Sequence, residues 1–375
     1  MILAQKRIPL ATPTMHEEEM GFIQEAFEKN WIAPLGFNCD NFEKEMAAYL
    51  GENRHGLALS SGTAALHLAM KLAGVKPGDV VFCSDMTFAA TVNPVSYEGG
   101  RQVFIDSEYE TWNMDPKALE KAFEKYPECK VVVLVHLYGT PAKMDEILAI
   151  CEKHGAILIE DAAESMGASY KGKQTGTFGD FGILSFNGNK IITGSSGGML
   201  LTNSLEYANK ARKWSTQSRE NAPWYQHEEI GYNYRMSNIC AGIGRGQMKV
   251  LPLRVEQKQA IFARYEKNLA GLPLKMQREN PDGVCNRWLS VCLIDEGCPV
   301  TPAMVLDALR AENIEGRPVW KPMHAQPVFA GTKYVTAGEI SVSDDLFERG
   351  ICLPSDSKMT MEDVDRICEL IRKVF

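Results

Sequence analysis

Lys130-Val131-Val132-Val133-Leu134-Val135-His136-Leu137 is the stretch that decides the fold class of this 375-residue chain. From Val131 to Val135 it is unbroken apolar sequence, mostly β-branched. A strand with one wet face alternates apolar and polar residues, whereas a strand covered on both faces reads as a continuous apolar run. The run is therefore read as an interior strand of a sheet with helices on either side. On its C-terminal side, residues 143–154 carry a helical pattern. Residues 156–159 form the next buried strand, which ends at Glu160-Asp161. On its N-terminal side, 102–105 is a strand ending at Asp106, and Asp115-Pro116 opens a helix to residue 125 with proline at its first position. Residues 80–83 and 57–59 are further strand candidates. Strands alternating with helices in this way predict a doubly wound α/β domain.

The flanks are less regular. Residues 1–14 are proline-broken and predicted extended. Thr14 precedes Glu17 by three positions, a capping-box pattern before a helix over 17–29. A loop over 30–36 contains Trp31, and a second helix over 41–50 is stopped by Gly51. Residues 204–215 read as a helix, 218–238 as a polar, aromatic-rich loop, and 239–269 as one or two helices interrupted near Leu251-Pro252. From about Trp288 a small second domain is predicted. Its parts are strand 290–294, helix 302–312, loop 316–327, strand 350–353 and helix 360–375. The expected division is 1–250 for the large domain and 251–375 for the linking helix and small domain.

Composition narrows the function. With 45% hydrophobic and 23% charged residues the chain is an ordinary globular protein rather than a disordered one. Forty Lys and Arg against 48 Asp and Glu leave a formal charge of -8, which argues against general nucleic-acid binding. Ten scattered cysteines, with no Cys-x-x-Cys pair, are too sparse for a disulfide scaffold and point to a reducing compartment. No stretch is apolar enough to span a membrane and no signal peptide is recognisable, so a cytoplasmic location is expected. No metal site is expected.

The chemistry gathers at predicted strand ends. Leu57-Ala58-Leu59 runs into Ser60-Ser61-Gly62-Thr63-Ala64-Ala65 and then an apolar helix. Strand, small-residue turn and helix N-terminus make a place where backbone N–H groups and the helix dipole favour an anion. It is neither a Walker motif nor the dinucleotide fingerprint. Lys190 follows Ser185-Phe186-Asn187-Gly188-Asn189, and Asp161 ends its own strand. A lysine that binds an aldehyde, a carboxylate that keeps a pyridine nitrogen protonated and a phosphate cradle are the groups a pyridoxal phosphate enzyme requires. Each residue also has a plainer reading: Asp161 as a helix cap, His136 and Phe88 as packed core, Asn233 as a loop residue satisfying backbone. The joint pattern outweighs these.

The residues 61–65, Asp85-Met86-Thr87-Phe88-Ala89-Ala90, Glu160-Asp161-Ala162-Ala163-Glu164-Ser165, Ser185 to Lys190, and Gly231-Tyr232-Asn233-Tyr234-Arg235-Met236 together resemble the DegT/DnrJ/StrS sugar aminotransferases, a branch of the fold-type I pyridoxal phosphate enzymes. The resemblance covers nearly the whole chain. Within the family it is nearest to transaminases that make UDP-4-amino sugars of the bacillosamine type. It implies a large domain with a mostly parallel seven-stranded sheet between helices, and a smaller C-terminal α/β domain. It also implies roles. Lys190 carries the internal aldimine and Asp161 pairs with the pyridine nitrogen. Gly62, Thr63 and Ser185 hold the phosphate, and Phe88 stacks on the ring. Glu164 stands where the family often has Gln or His near the phenolic oxygen, and a carboxylate there would repel a phenolate unless its charge is suppressed or offset. Asn233 reaches the phosphate of the neighbouring subunit's cofactor, which makes the active site a property of a homodimer. The loop Arg317-Pro318-Val319-Trp320-Lys321-Pro322-Met323-His324 borders the nucleotide-sugar, with Arg317 or Lys321 toward a diphosphate, Trp320 toward a sugar or base, His324 nearby and Trp31 contributing from the N-terminal side.

The expected reaction moves an amino group from glutamate to the C4 ketone of a UDP-linked 4-keto-6-deoxy-acetamido sugar. The alternatives are transamination at C3 or of a dTDP-linked sugar, and a non-catalytic regulatory protein that binds the cofactor. A sugar dehydratase of the same family carries His where this chain has Lys190, and a Rossmann dehydrogenase lacks its glycine fingerprint here.

Overall fold

The structure, a computed structural model, describes residues 6–51 and 54–375. Of the predicted extended segment 1–14, residues 1–5 lie outside the described residues.

The central sheet has eight strands in the order His55–Leu59, Gly198–Thr202, Phe181–Ser185, Ile157–Asp161, Val131–Val135, Val80–Ser84, Arg101–Ile105, Lys333–Val335. Every pairing is parallel except the two made by Gly198–Thr202, which is antiparallel to both neighbours. The expected seven-stranded sheet thus has an eighth strand at its far edge, contributed by the C-terminal third of the chain. Alternation along the strands sorts the core into two layers. Val81, Cys83, Val131, Val133 and Ile159 pack against the helix Gly62–Leu72. Val80, Phe82, Val132, Leu134 and Leu158 pack against the helices Pro116–Lys125 and Met144–His154. This is the physical content of the unbroken Val run: each face meets its own helices, and each buried Val or Leu contributes roughly 1.5–3 kcal/mol.

Helix starts follow side-chain chemistry. Ser61, Ser237, Thr301 and Thr360 each accept a hydrogen bond from a backbone N–H inside the helix they open, and Asp115 does so before Pro116. The predicted Thr14–Glu17 capping box does not form. The helix Glu18–Glu28 starts without a side-chain cap, and Thr14 Oγ1 instead meets Ser357 Oγ at 2.8 Å. The segment is tied to the C-terminal part of the chain (Thr12 N donates to Asp356 Oδ2 at 2.9 Å), and that tertiary tie overrides the local signal. The predicted interruption near residue 251 is real: Asn238–Met248 and Leu251–Leu269 are separate helices.

A second sheet, ordered Leu274–Met276, Ser290–Ile294, Gly350–Leu353, Arg317–Pro318, packs with the helices Pro302–Ala311 and Met361–Val374 around Val305, Leu309, Ile351, Leu353, Val364 and Ile367. Among the described residues, no helix is long and apolar enough to cross a membrane.

Candidate active site

Val131–Val135, Ile157–Asp161 and Phe181–Ser185 run parallel, so their carboxyl ends emerge at one edge of the sheet. A cavity of about 350 Å³ lies there, lined by Gly62, Thr63, Phe88, Thr91, Asp161, Glu164, Ser185, Lys190, Trp288 and Trp320 with their neighbours. That volume suits a small cofactor.

Strand alternation sends the adjacent carboxylates Glu160 and Asp161 to opposite faces. Glu160 is outside the cavity. Its oxygens lie 2.8 Å from His136 Nε2 and accept from Phe178 N at 2.8 Å and Gly179 N at 3.1 Å, with Gly176 N a further donor. Burial pushes its pKa up, but these donors outweigh burial and leave it lowered. His136 Nδ1 accepts from Ala142 N at 3.1 Å, which assigns the ring proton to Nε2, facing Glu160. His136 is therefore a buried strut.

Asp161 faces the cavity. Its Oδ2 accepts from Thr91 Oγ1 at 2.7 Å and its Oδ1 from Ala163 N at 3.0 Å. Burial raises its pKa, and the Thr91 and Ala163 hydrogen bonds and the charge of Lys190 oppose the rise. Among the described residues no ion pair engages it.

Lys190 Nζ stands 3.9 Å from Glu164 Oε1 and 4.2 Å from the centroid of the Trp288 indole. Burial pushes its pKa down, while Glu164 and then Asp161 pull it back up. Glu164 is held on both oxygens: Oε2 accepts from Tyr138 N at 2.8 Å and Oε1 from Trp320 Nε1 at 3.3 Å. Tyr138 OH in turn accepts from Trp320 N at 2.7 Å, which closes a ring of contacts over the lysine. Burial raises the Glu164 pKa, and the Lys190 charge opposes it. Trp288 is fixed by its own bonds, from its indole N–H to Asn189 O at 2.8 Å and from its backbone N–H to Asn286 Oδ1 at 2.8 Å.

The anion cradle is tight. Ser61 Oγ accepts from Ala64 N at 3.0 Å and starts the helix, so that Gly62 and Thr63 present their backbone at the cavity. A Cβ on Gly62 would sit 3.2 Å from Ser185 Cβ. Phe88 is 62% exposed at the cavity, a flat apolar face with no core to enter.

These residues fit pyridoxal phosphate. Asp161 is a buried carboxyl that no ion pair engages among the described residues, and a protonated ring nitrogen would supply one. Phe88 offers a face for the ring, the start of the Gly62 helix with Ser185 offers an anion seat, and Lys190 Nζ lies in the same cavity as all of them.

Of the residues singled out in the sequence, the cavity gathers Gly62, Thr63, Phe88, Asp161, Glu164, Ser185, Lys190 and Trp320. The others line different surfaces. Trp31 is half exposed and donates to Leu35 O at 2.7 Å. Asn233 is exposed and bridges to Thr216. Arg317 pairs with Glu315 at 2.8 Å and lines a separate cleft with Arg7 and Arg310. Lys321 is exposed, and His324 is bound to Asp85. Sequence reasoning missed Trp288 and Thr91. The Thr87/Thr91 pair, one helical turn apart after a strand end, was a readable signal. Trp288 had none, because it reaches the site from 98 residues beyond Lys190.

Residues 13–372 match the DegT/DnrJ/EryC1/StrS aminotransferase family. The chain belongs to that family. It is 50% identical to EpsN of Bacillus subtilis over 99% of this chain and 96% of that protein. It is 35% identical to the GDP-perosamine synthase of Caulobacter vibrioides over 98% of both chains. The crystal structure of a DegT DnrJ EryC1 StrS aminotransferase from Brucella abortus superposes with a TM-score of 0.87 at 28% identity, over 95% of each chain. This aminotransferase is thus a pyridoxal phosphate enzyme of fold type I that acts on a nucleotide-linked sugar.

Proposed function

We propose that the enzyme carries an amino group from glutamate to the C4 ketone of a UDP-linked 4-keto-6-deoxy-acetamido sugar of the bacillosamine type, with Lys190 as its catalytic amine. The observation that carries the amino transfer is the placement of Lys190 Nζ in one cavity with the buried Asp161 carboxyl, 3.9 Å from Glu164; the acceptor follows the resemblance of the sequence. Bound pyridoxal phosphate supplies an aldehyde that bonds to amines and a ring that withdraws electrons from the neighbouring carbon. Asp161, oriented by Thr91 and Ala163, holds the positive ring nitrogen. Gly62, Thr63 and Ser185 hold the phosphate, and Phe88 shields one ring face. Lys190 Nζ, whose pKa burial lowers, takes the proton from the α-carbon of glutamate and returns one when the sugar amine forms. Tyr138 and Trp320 fix Glu164 beside that nitrogen, so its charge is offset by the lysine.

Arg317, Lys321, Trp320, His324 and Trp31 belong, in this reading, to the acceptor side. Asn233 completes the phosphate site of a second copy. Its exposure away from its own cavity supports a homodimer, as do the exposed Ile32, Trp224, Tyr225 and Ile230. The ten free thiols support residence in a reducing cytoplasm. The kinship to a GDP-perosamine synthase favours a second reading in which the acceptor is GDP-linked. Absorption spectroscopy separates them. Glutamate should abolish the visible band of the loaded enzyme, and the acceptor among UDP-, GDP- and dTDP-4-keto sugars that restores it names the substrate. Lys190→Ala should fold and lose turnover; near-normal turnover in that variant would sink the assignment.

A further inference from the structure

His324 lies on the loop that carries Trp320, and both nitrogens of its ring are engaged. Nδ1 stands 2.7 Å from Asp85 Oδ2, and Nε2 stands 3.3 Å from Asp344 Oδ1. The ring stacks on Tyr334, with centroids 4.0 Å apart and planes 11° apart. The backbone adds to the hold: His324 N donates to Asp85 Oδ1 at 2.9 Å, and Met323 N donates to Asp85 O at 2.9 Å. Asp85 is fully buried, directly after the strand Val80–Ser84 and three residues before Phe88. Four residues back along the loop, Trp320 is bound through its backbone N–H to Tyr138 OH and through its indole to Glu164. Residues 320–324 are therefore anchored at both ends, to the groups beyond Val131–Val135 and Ile157–Asp161 on one side and beyond Val80–Ser84 on the other.

A ring whose two nitrogens both face carboxylates has no hydrogen-bonding atom left for a substrate. We propose that His324 is a positioning residue for the acceptor half of the reaction: with Asp85 it pins residues 320–324 as a fixed strap and so sets Trp320 in the cavity. The inference rests on the reading of this loop as the acceptor side. The groups facing the ring are Asp85 from the strand end, Asp344 from the helix Val342–Arg349 and the phenol of Tyr334 from the edge strand, with Asp106 behind Tyr334. Burial lowers the His324 pKa, but the two aspartates outweigh it and raise it, so the pin is charged at low pH and neutral at high pH. A neutral ring leaves the buried Asp85 carboxylate without its cation, and the strap loosens.

The test compares His324→Leu and His324→Asn in the full-length, cofactor-loaded enzyme. Asparagine keeps an N–H for Asp85; leucine does not. In His324→Leu, amide hydrogen exchange over residues 317–326 should quicken by at least about tenfold and the acceptor KM should rise by a similar factor. His324→Asn should recover most of both. The glutamate half-reaction, read separately from the visible band, should slow by a clearly smaller factor than the acceptor half-reaction, because Tyr138 N still holds Glu164 when Trp320 loosens. Unchanged exchange overturns the strap, and faster exchange with an unchanged acceptor KM overturns its positioning role. A loss confined to the glutamate half-reaction would instead overturn the acceptor-side reading of the loop, and the proposal with it. Should the leucine variant not fold, Asp344→Asn, on an exposed side chain, carries the test. The rise of acceptor KM with pH should move to lower pH, because one charge that raises the His324 pKa is gone, and a profile that does not move overturns the proposal.

Discussion

Lys190 has two opposing influences on its proton: burial, which favours the neutral amine, and the carboxylates Glu164 and Asp161, which favour the charged one. Glu164 is the nearer carboxylate, at 3.9 Å, and glutamine in its place keeps an acceptor for Tyr138 N while removing the charge. In Glu164→Gln the amine should therefore lose its proton at lower pH than in the wild type. The pH dependence of Lys190 acylation in cofactor-free enzyme, followed by peptide mass spectrometry, measures this directly. An unmoved midpoint would mean that Glu164 does not act on Lys190 through charge. At this scale the sequence revealed residue types and their order but not their partners. Glu164 reads as an isolated carboxylate beside Asp161, and only the folded chain brings Tyr138 and Trp320, 26 residues before it and 156 residues after it, onto its two oxygens.

The elements meet tightly where the phosphate cradle is built. A Cβ on Gly198 would lie 2.3 Å from both Ser61 C and Gly62 N, backbone atoms that cannot swing aside. Gly198→Ala should thus push the strand Gly198–Thr202 away from the start of the helix Gly62–Leu72. We expect a loss of about 1–3 kcal/mol in folding stability and weaker cofactor binding, checked by thermal unfolding and by titration of the cofactor-free enzyme with pyridoxal phosphate. Full stability with unchanged affinity would show that the cradle does not depend on this contact. The strand, turn and helix of the cradle were legible because a short apolar run (57–59, the end of the observed strand His55–Leu59), small residues and an apolar helix are local patterns. The antiparallel strand Gly198–Thr202 that closes it was not, because its pairing partners His55–Leu59 and Phe181–Ser185 are chosen by the sheet. The Thr14 capping box failed for the same kind of reason: a correct local signal lost to Ser357 and Asp356 at the far end of the chain.

At the scale of the whole molecule, the homodimer reading makes a quantitative claim. If Asn233 serves the neighbouring copy, an equal mixture of Lys190→Ala and Asn233→Ala chains, each inactive alone, should recover about a quarter of wild-type activity, since half of the dimers form with one intact site in two. Light scattering of the mixture and its turnover test the claim together; a dimer that forms without recovered activity would place Asn233 outside the shared site. The α/β class, the interior strand at Val131–Val135, the placement of Asp161 at a strand end and of Lys190 in a loop beyond one, and the pyridoxal phosphate chemistry were legible in the sequence, because apolar periodicity, glycine placement and the order of reactive residues are carried by neighbours in the chain. The eighth strand, the burial that moves the Lys190 and Asp161 proton equilibria, the Trp288 face beneath the lysine and the engagement of His324 by Asp85 were decided only by tertiary structure. Each depends on groups tens to hundreds of residues apart being brought within hydrogen-bonding or van der Waals distance, and no local pattern encodes which distant residue will arrive.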